Sequence, residues 1–335
     1  MPLRVLAIFF SVLLTFLGLL FVTFFIGRVV PIDPVLAAVG DRASAEVYDQ
    51  VRMELGLHLP LYQQFWLYLV KVFHGDLGSS VLTANPVLED IRRVFPATLE
   101  LATVATLMGV FLGIPAGIVA AVYQGRWPDQ VLRVISLFGY SVPVFWLGLV
   151  GLLLFYGMLD VVPGPGRLDV YYEGLTPTVT GVLLVDTALA GEWEIFWNAL
   201  GHILLPAGIL GYFSTAYICR MTRSFMLEQL SQEYITTARV KGLSEWKVIC
   251  SHALGNVRLP LITVIALSYA NLLEGSVLTE TVFAWPGLGF YLTQSLLSAD
   301  MNAVLGGTIV VGSVFIGINL LSDALYQLFD PRARR

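Results

Sequence analysis

Side chains able to carry out bond chemistry are few in this sequence, and they are not grouped as a catalytic site requires. The four histidines, His58, His74, His202 and His252, lack the spacing of metal ligands. No Gly-x-Ser-x-Gly nucleophile motif and no His-Glu-x-x-His metalloprotease motif occurs. A Gly-Lys-Ser/Thr phosphate loop is also missing. We therefore expect no metal, no cofactor and no enzymatic activity in this chain.

One glycine-rich segment could be taken for a phosphate-binding loop. It lacks a third glycine, and its context does not indicate a following helix start. We instead expect a structural turn at the outer face of the protein, formed by Trp285, Pro286, Gly287 and Gly289.

Glu274 is the candidate for a ligand-facing charge, because it lies in an otherwise apolar run beside Asn271. An ionisable group at membrane depth is costly and usually faces a cavity or the interior of a helix bundle. Glu274, Asn271 and Ser141 are therefore candidate residues of a translocation path. The alternative for Glu274 is a position near the outer surface, where its carboxylate reaches water.

The elements that must position these residues are membrane helices. The chain has 335 residues, 57% of them hydrophobic and 13% charged, and several nearly uncharged runs are long enough to cross a bilayer. The runs neither alternate in polarity nor have the short length of barrel strands. We predict an all-α integral membrane protein with about six spans, near 5–29, 98–122, 131–158, 201–222, 259–281 and 304–327.

Lysine and arginine placement predicts the orientation. Basic residues concentrate at both termini, near residue 126 and in the segment 223–257, whereas 159–200 is rich in acidic residues. Both termini and the segment 223–257 are therefore expected in the cytoplasm, with 31–97 and 159–200 outside. Arg220 and Arg223 most simply extend to the cytoplasmic interface, and a gating or salt-bridge role is the alternative. The net charge of −5 argues against a nucleic-acid partner.

The segment 223–257 has the pattern of two short amphipathic helices joined at a glycine. Ser231 could cap the first helix, Gly242 could supply its left-handed end, and Ser244 could cap a second helix from Glu245 onward. An ordinary connector at the membrane surface fits this pattern. A docking element for a cytoplasmic partner fits it too.

Several motifs together resemble a known family. The stretch Glu233–Glu245, with Leu259-Pro260 downstream, resembles the "EAA" loop of ABC-importer permeases, although Thr236 stands where many relatives carry Glu. The likeness is greatest to the dipeptide/oligopeptide/nickel branch. Further matches follow in the family's order, at Gly75–Ser80, Pro86-Val87, Ala97–Ala102, Ser141–Gly148, Glu280–Gly289 and Asp330–Arg334.

The resemblance implies a type I ABC importer transmembrane domain over residues 1–335, with one permease domain and a cytoplasmic coupling helix. It also implies a bacterial inner membrane location, a second homologous permease subunit, an external substrate-binding protein and two ATPase subunits that bind ATP and Mg. Contact with the ATPase is then expected from Glu233, Thr237, Ala238, Arg239, Lys241, Gly242, Leu243 and Ser244.

The substrate stays open at this point. Permeases of this kind serve dipeptides, longer peptides, nickel chelates, glutathione and other compounds. An autonomous secondary transporter or channel is the alternative function, but it predicts paired broken helices or repeat symmetry, and the sequence shows neither.

Overall fold

A computed structural model describes residues 2–29, 34–40, 44–54 and 56–329. Across these residues the chain is helical, and an isolated bridge between Ser79 and Pro86 is the one β-type pairing. The α-helices are α1 Pro2–Val29, α2 Pro34–Val39, α3 Ala45–Glu54, α4 Leu61–Phe73, α5 Val87–Val122, α6 Trp127–Ser141, α7 Val144–Gly151, α8 Leu183–Ala190, α9 Trp193–Leu230, α10 Glu233–Val240, α11 Glu245–Lys247, α12 Leu254–Val282, α13 Leu288–Leu297 and α14 Met301–Phe329. The π-helical turn Leu152–Met158 extends α7, and the π-helical turn Val248–Ala253 joins α11 to α12. A 3-10 turn covers Val170–Tyr172.

The prediction of about six helical spans is confirmed. Within the described residues, five helices are long and apolar enough to cross a membrane, and α6 with the α7 segment forms a sixth as a pair bent by 98°. The bend falls between Ser141 and Val144. Pro143 cannot donate a backbone hydrogen bond, and the residue before a proline disfavours helical geometry, so the helix breaks here.

Two helices are longer than the sequence indicates. The second span was expected just after Pro96, but α5 begins at Val87 and continues through that proline. Glu89 and Asp90 in its first turn complement the helix dipole, and Pro96 removes only one backbone donor. Helix α9 likewise extends beyond the expected 201–222 at both ends, because its polar ends continue the helix outside the apolar stretch.

The chain separates into two compact units, the first formed by Met1–Phe95 with Gly287–Ile316 and the second by Pro96–Pro286 with Gly317–Arg335. In the first unit, α1 packs on α4 through Phe24, Phe65 and Tyr68, and the Thr23 hydroxyl lies 3.0 Å from the Tyr68 hydroxyl. Asp300 accepts hydrogen bonds from the Ser80 hydroxyl at 2.5 Å and the Leu82 amide at 3.1 Å. The expectation of one permease domain over 1–335 stays a prediction.

In the second unit α9 packs closely on α5. A side-chain carbon at Gly113 would lie 2.9 Å from the Thr215 carbonyl oxygen, and one at Gly117 would lie 2.6 Å from the Cys219 carbonyl oxygen. Glycine at these positions therefore permits the two backbones to approach, as in small-residue interfaces of membrane helices. Ser214, whose side chain also lies against Gly109 of α5, joins α9 to α12, because its hydroxyl is 2.8 Å from the Ser268 hydroxyl.

Candidate functional site

Helix α10 is amphipathic, with one side buried. Ile235 and Ala238, one turn apart, are buried in a cluster with Met226 of α9 and Val248 of the π-helical turn. Glu233, Thr237, Arg239, Lys241, Gly242 and Ser244 are exposed, Leu243 is half-buried and Ala238 is buried. The helix is therefore fixed to the ends of the membrane helices by one face and presents the other outward.

The turn after α10 has the geometry that the sequence predicts. Gly242 has a φ of 77°, in the left-handed region where glycine is favoured. Arg239 bridges the turn to Glu245, with Nε 2.9 Å from Oε1 and Nη2 3.2 Å from Oε2. Because both side chains are exposed, this pair orients the turn more than it stabilises it.

Large apolar side chains lie exposed on both sides of this turn. Val240 is 83% exposed and Trp246 is 78% exposed. Neither is buried by any described part of the chain, although neighbouring apolar residues of α10 are. Exposed apolar side chains beside charged residues are available to a protein partner or to the membrane interface.

Two details of the segment differ from the sequence prediction. Ser231 is not the cap of α10: it ends α9, its hydroxyl bonds the Glu228 carbonyl oxygen, and Gln232 precedes α10 instead. The second helix is also not a separate surface helix. Ser244 does precede α11, but the helix continues from α11 through the π-helical turn into α12, so Glu245–Val282 is one continuous helix.

Helix α12 carries an exposed stripe within its membrane-spanning part. Asn271, Glu274, Gly275 and Leu278, spaced as one helical face, are all exposed. A side-chain carbon at Gly275 would meet no atom within 4 Å. Glu274 lies about 12 Å along the helix from its end at Val282. Ser141 is also exposed, at the break after α6, and its hydroxyl donates to the Leu137 carbonyl oxygen at 2.9 Å.

A turn follows α12, as the sequence predicts, and its place at the outer face stays a prediction. Trp285 is buried, and its indole nitrogen donates to the Ala97 carbonyl oxygen at 2.9 Å. Gly287 directly precedes α13, so the expectation that no helix starts after this segment is wrong. The sequence gives little sign of this helix start, because α13 begins with the uncharged pair Leu288-Gly289 and has no capping side chain.

A buried ion pair beside Trp285 was not foreseen. The Glu100 carboxylate accepts from Arg167 Nη2 at 2.5 Å and Nε at 2.9 Å, and from the Leu184 amide at 2.7 Å. Arg167 also donates to the Gly181 carbonyl oxygen at 2.9 Å, and its guanidinium lies 5.8 Å from the Trp285 ring centre. The sequence offers two signals for this pair: Glu100 is a carboxylate in an apolar helix, and Arg167 is an arginine in an acidic loop.

Near the C-terminal end of α9, Arg223 has a buried partner, Asp129. Its Nε lies 2.6 Å from Asp129 Oδ1 and its Nη2 lies 2.8 Å from Oδ2. The salt-bridge alternative therefore applies to Arg223. Arg220 instead lies over the ring of Tyr140, with 4.4 Å between the guanidinium carbon and the ring centre. The C-terminal motif Asp330–Arg334 lies outside the described residues.

A solved structure shares this fold. An inward-facing structure of the MetNI methionine ABC transporter matches with a TM-score of 0.52 at 16% identity, covering 69% of this chain and 92% of the matched one. At this identity the likeness shows a shared fold.

Sequence comparison gives the family. The model of the "binding-protein-dependent transport system inner membrane component" family matches residues 113–335, and the model of its N-terminal segment matches residues 3–102. The chain belongs to this family.

Individual relatives match over nearly their full length. The chain is 47% identical to the probable D,D-dipeptide transport system permease protein of Escherichia coli K12, over 95% of this chain and 93% of that protein. It is 43% identical to the dipeptide transport system permease protein of the same strain, over 96% and 95%. A di/tripeptide transport system permease protein of Pseudomonas aeruginosa is 41% identical, over 96% and 95%. These relatives are transport subunits and not enzymes.

Proposed function

We propose that this chain is a permease subunit of an ATP-driven peptide importer and that α10 with the Gly242 turn is its docking element for an ATPase subunit. The relatives named for dipeptide and di/tripeptide transport support peptides as the substrate class. The exposed pair Val240 and Trp246 is the observation that carries the docking role.

Docking explains why these side chains are exposed while their neighbours are buried. Ile235 and Ala238 attach α10 to the membrane helices, so a force on the outer face passes to the bundle. The rigid aromatic Trp246 has the character of an interface hot spot, and the exposed charges of Glu233, Lys241 and Lys247 belong to the same segment.

The proposed assembly contains two homologous permease subunits around one path. Two ATPase subunits bind ATP and Mg below the membrane, and an external binding protein delivers the substrate. This arrangement places the chain in a bacterial inner membrane with both termini and α10 in the cytoplasm, as the distribution of basic residues favours.

The stripe on α12 is the proposed contribution of this chain to the path. A carboxylate exposed toward lipid at this depth is strongly unfavourable, so the side of α12 with Asn271 and Glu274 faces a water-filled cavity or the second permease subunit. Glu274 then interacts with the α-amino group of a peptide as it passes.

Co-purification tests the docking role. The chain is co-expressed with candidate ABC ATPase subunits, as wild type and as Val240→Ser/Trp246→Ala. We expect the variant to retain less ATPase by about 30-fold, the loss of one aromatic hot spot. The control Val47→Ser/Trp66→Ala removes the same side chains from exposed positions in the 31–97 segment and should retain it fully.

The results separate the competing functions. If neither wild type nor control binds an ATPase, and the chain alone transports peptide in vesicles, it is an autonomous transporter and the proposal is wrong. Binding that is unchanged in Val240→Ser/Trp246→Ala would reject this docking surface while leaving the importer role.

A further inference from the structure

A groove of about 600 Å³ lies beside α9, bounded by α6 and by Ala120 near the end of α5. Its walls are mostly apolar, and Val134 and Leu137 are 53% and 64% exposed. Three arginines, Arg133, Arg220 and Arg223, line the same groove. All of these residues belong to the second compact unit.

The arginines leave excess positive charge in the groove. Asp129 neutralises Arg223 through two short contacts. Within the part of the chain that the structure describes, neither Arg133 nor Arg220 forms an ion pair. The ring of Tyr140 holds the Arg220 guanidinium in place but supplies no countercharge. The groove is therefore complementary to an anion.

The position of the groove along α9 indicates where that anion lies in a bilayer. Trp197, 65% exposed near the start of α9, is typical of a membrane interface. Arg220 follows it by 23 residues, or roughly 35 Å of helix. A hydrocarbon core of about 30 Å then places Arg220 among the lipid head groups of the other leaflet. Trp127, 75% exposed at the start of α6, lies two residues before Asp129, the partner of Arg223, and is a second exposed aromatic residue near this end of α9.

We propose that this groove binds an anionic glycerophospholipid. Arg133 and Arg220 hold the phosphate, and Val134 and Leu137 contact an acyl chain that extends toward the centre of the bilayer. The apolar walls favour a lipid over free phosphate, because free phosphate has no apolar part that could contact them. The proposal requires only that the chain spans a membrane, so it stands apart from the docking role of α10.

Lipid competition tests the site. The full-length chain is purified in detergent, incubated with mixtures of phosphatidylglycerol and phosphatidylethanolamine, and analysed by native mass spectrometry. The wild type should prefer phosphatidylglycerol, and Arg133→Gln/Arg220→Gln should weaken that preference by about 30-fold, the effect expected for two cations near an anionic lipid. The control Arg52→Gln/Arg92→Gln removes two exposed arginines outside the groove and should keep the preference.

A second variant tests the apolar walls and does not depend on the folding of the first. Val134→Trp/Leu137→Trp fills the groove, keeps every charge, and should also lose the bound phosphatidylglycerol. Preference unchanged in either double variant overturns the site. Displacement of the lipid by millimolar inorganic phosphate, or lipid bound to the isolated chain and absent from the assembled transporter, overturns it as well, because free phosphate or a partner subunit is then the occupant.

Discussion

Substituting Arg167 by Met should strongly destabilise the second unit. The change leaves the Glu100 carboxylate, with 2% of its side chain exposed, without the two guanidinium contacts and with the Leu184 amide still donating. Removing one partner of a buried ion pair costs about 3–5 kcal/mol, and the 17% exposure of Arg167 favours the lower end. At about 2–4 °C per kcal/mol, the apparent melting temperature should fall by about 6–12 °C.

The assay is thermal unfolding of the detergent-purified chain at one fixed heating rate, because membrane proteins commonly unfold irreversibly. Arg167→Met is compared with Glu100→Leu and with the double variant in a double-mutant cycle. The double variant removes both charges together, so it should be more stable than Arg167→Met alone. If the stability losses of the two single variants add up in the double variant, the two side chains do not stabilise each other, and the reasoning is refuted.

Three further outcomes are expected. Gly113→Leu should lower the apparent melting temperature by several degrees or prevent folding, because the added side chain meets the Thr215 carbonyl oxygen. Gly275→Ala enters open space and should not lower it, since alanine is favoured over glycine inside a helix. Burial raises the pKa of Asp186, but hydrogen bonds from Thr180, Gly181 and Val179 outweigh this effect and hold the pKa below its usual value. The ionised Asp186 therefore stabilises the fold above about pH 4, and this stabilisation is lost as the pH falls through the lowered pKa. Asp186→Asn should therefore be less stable than wild type by about 1–3 kcal/mol at pH 7, and this deficit should shrink as the pH is lowered below about 4; a deficit that does not change with pH would contradict this. Glu274→Gln should slow uptake of a labelled dipeptide into proteoliposomes containing the complete transporter, and unchanged rate and substrate preference would remove Glu274 from the path.

The sequence predicts the membrane helices because apolar run length is a local property. It predicts their ends poorly. Helix α5 begins at Val87, well before its apolar run, since hydrogen bonding continues wherever local residues permit it. The same continuity makes α11 part of the helix that ends at Val282, although Ser244 and Gly242 correctly indicate the turn before it.

Contacts between distant segments are harder to foresee. Glu100 and Arg167 are far apart in sequence, and neither has a neighbour that reveals its partner. The close approach of α5 and α9 did leave a signal, because Gly109, Gly113 and Gly117 recur at every fourth position, a spacing typical of close helix packing. The coupling residues stay a prediction, since their role depends on proteins outside this chain.

The continuity of α11, the π-helical turn and α12 makes this stretch a lever with unequal arms. If the hydrogen bond between Ser214 and Ser268 acts as its pivot, the arm to Trp246 is roughly 33 Å long and the arm to Glu274 roughly 9 Å. A displacement of about 4 Å at Trp246 then moves Glu274 by only about 1 Å, in the opposite direction. A large displacement at the Trp246 end would thus produce only a small displacement of the exposed stripe that carries Glu274.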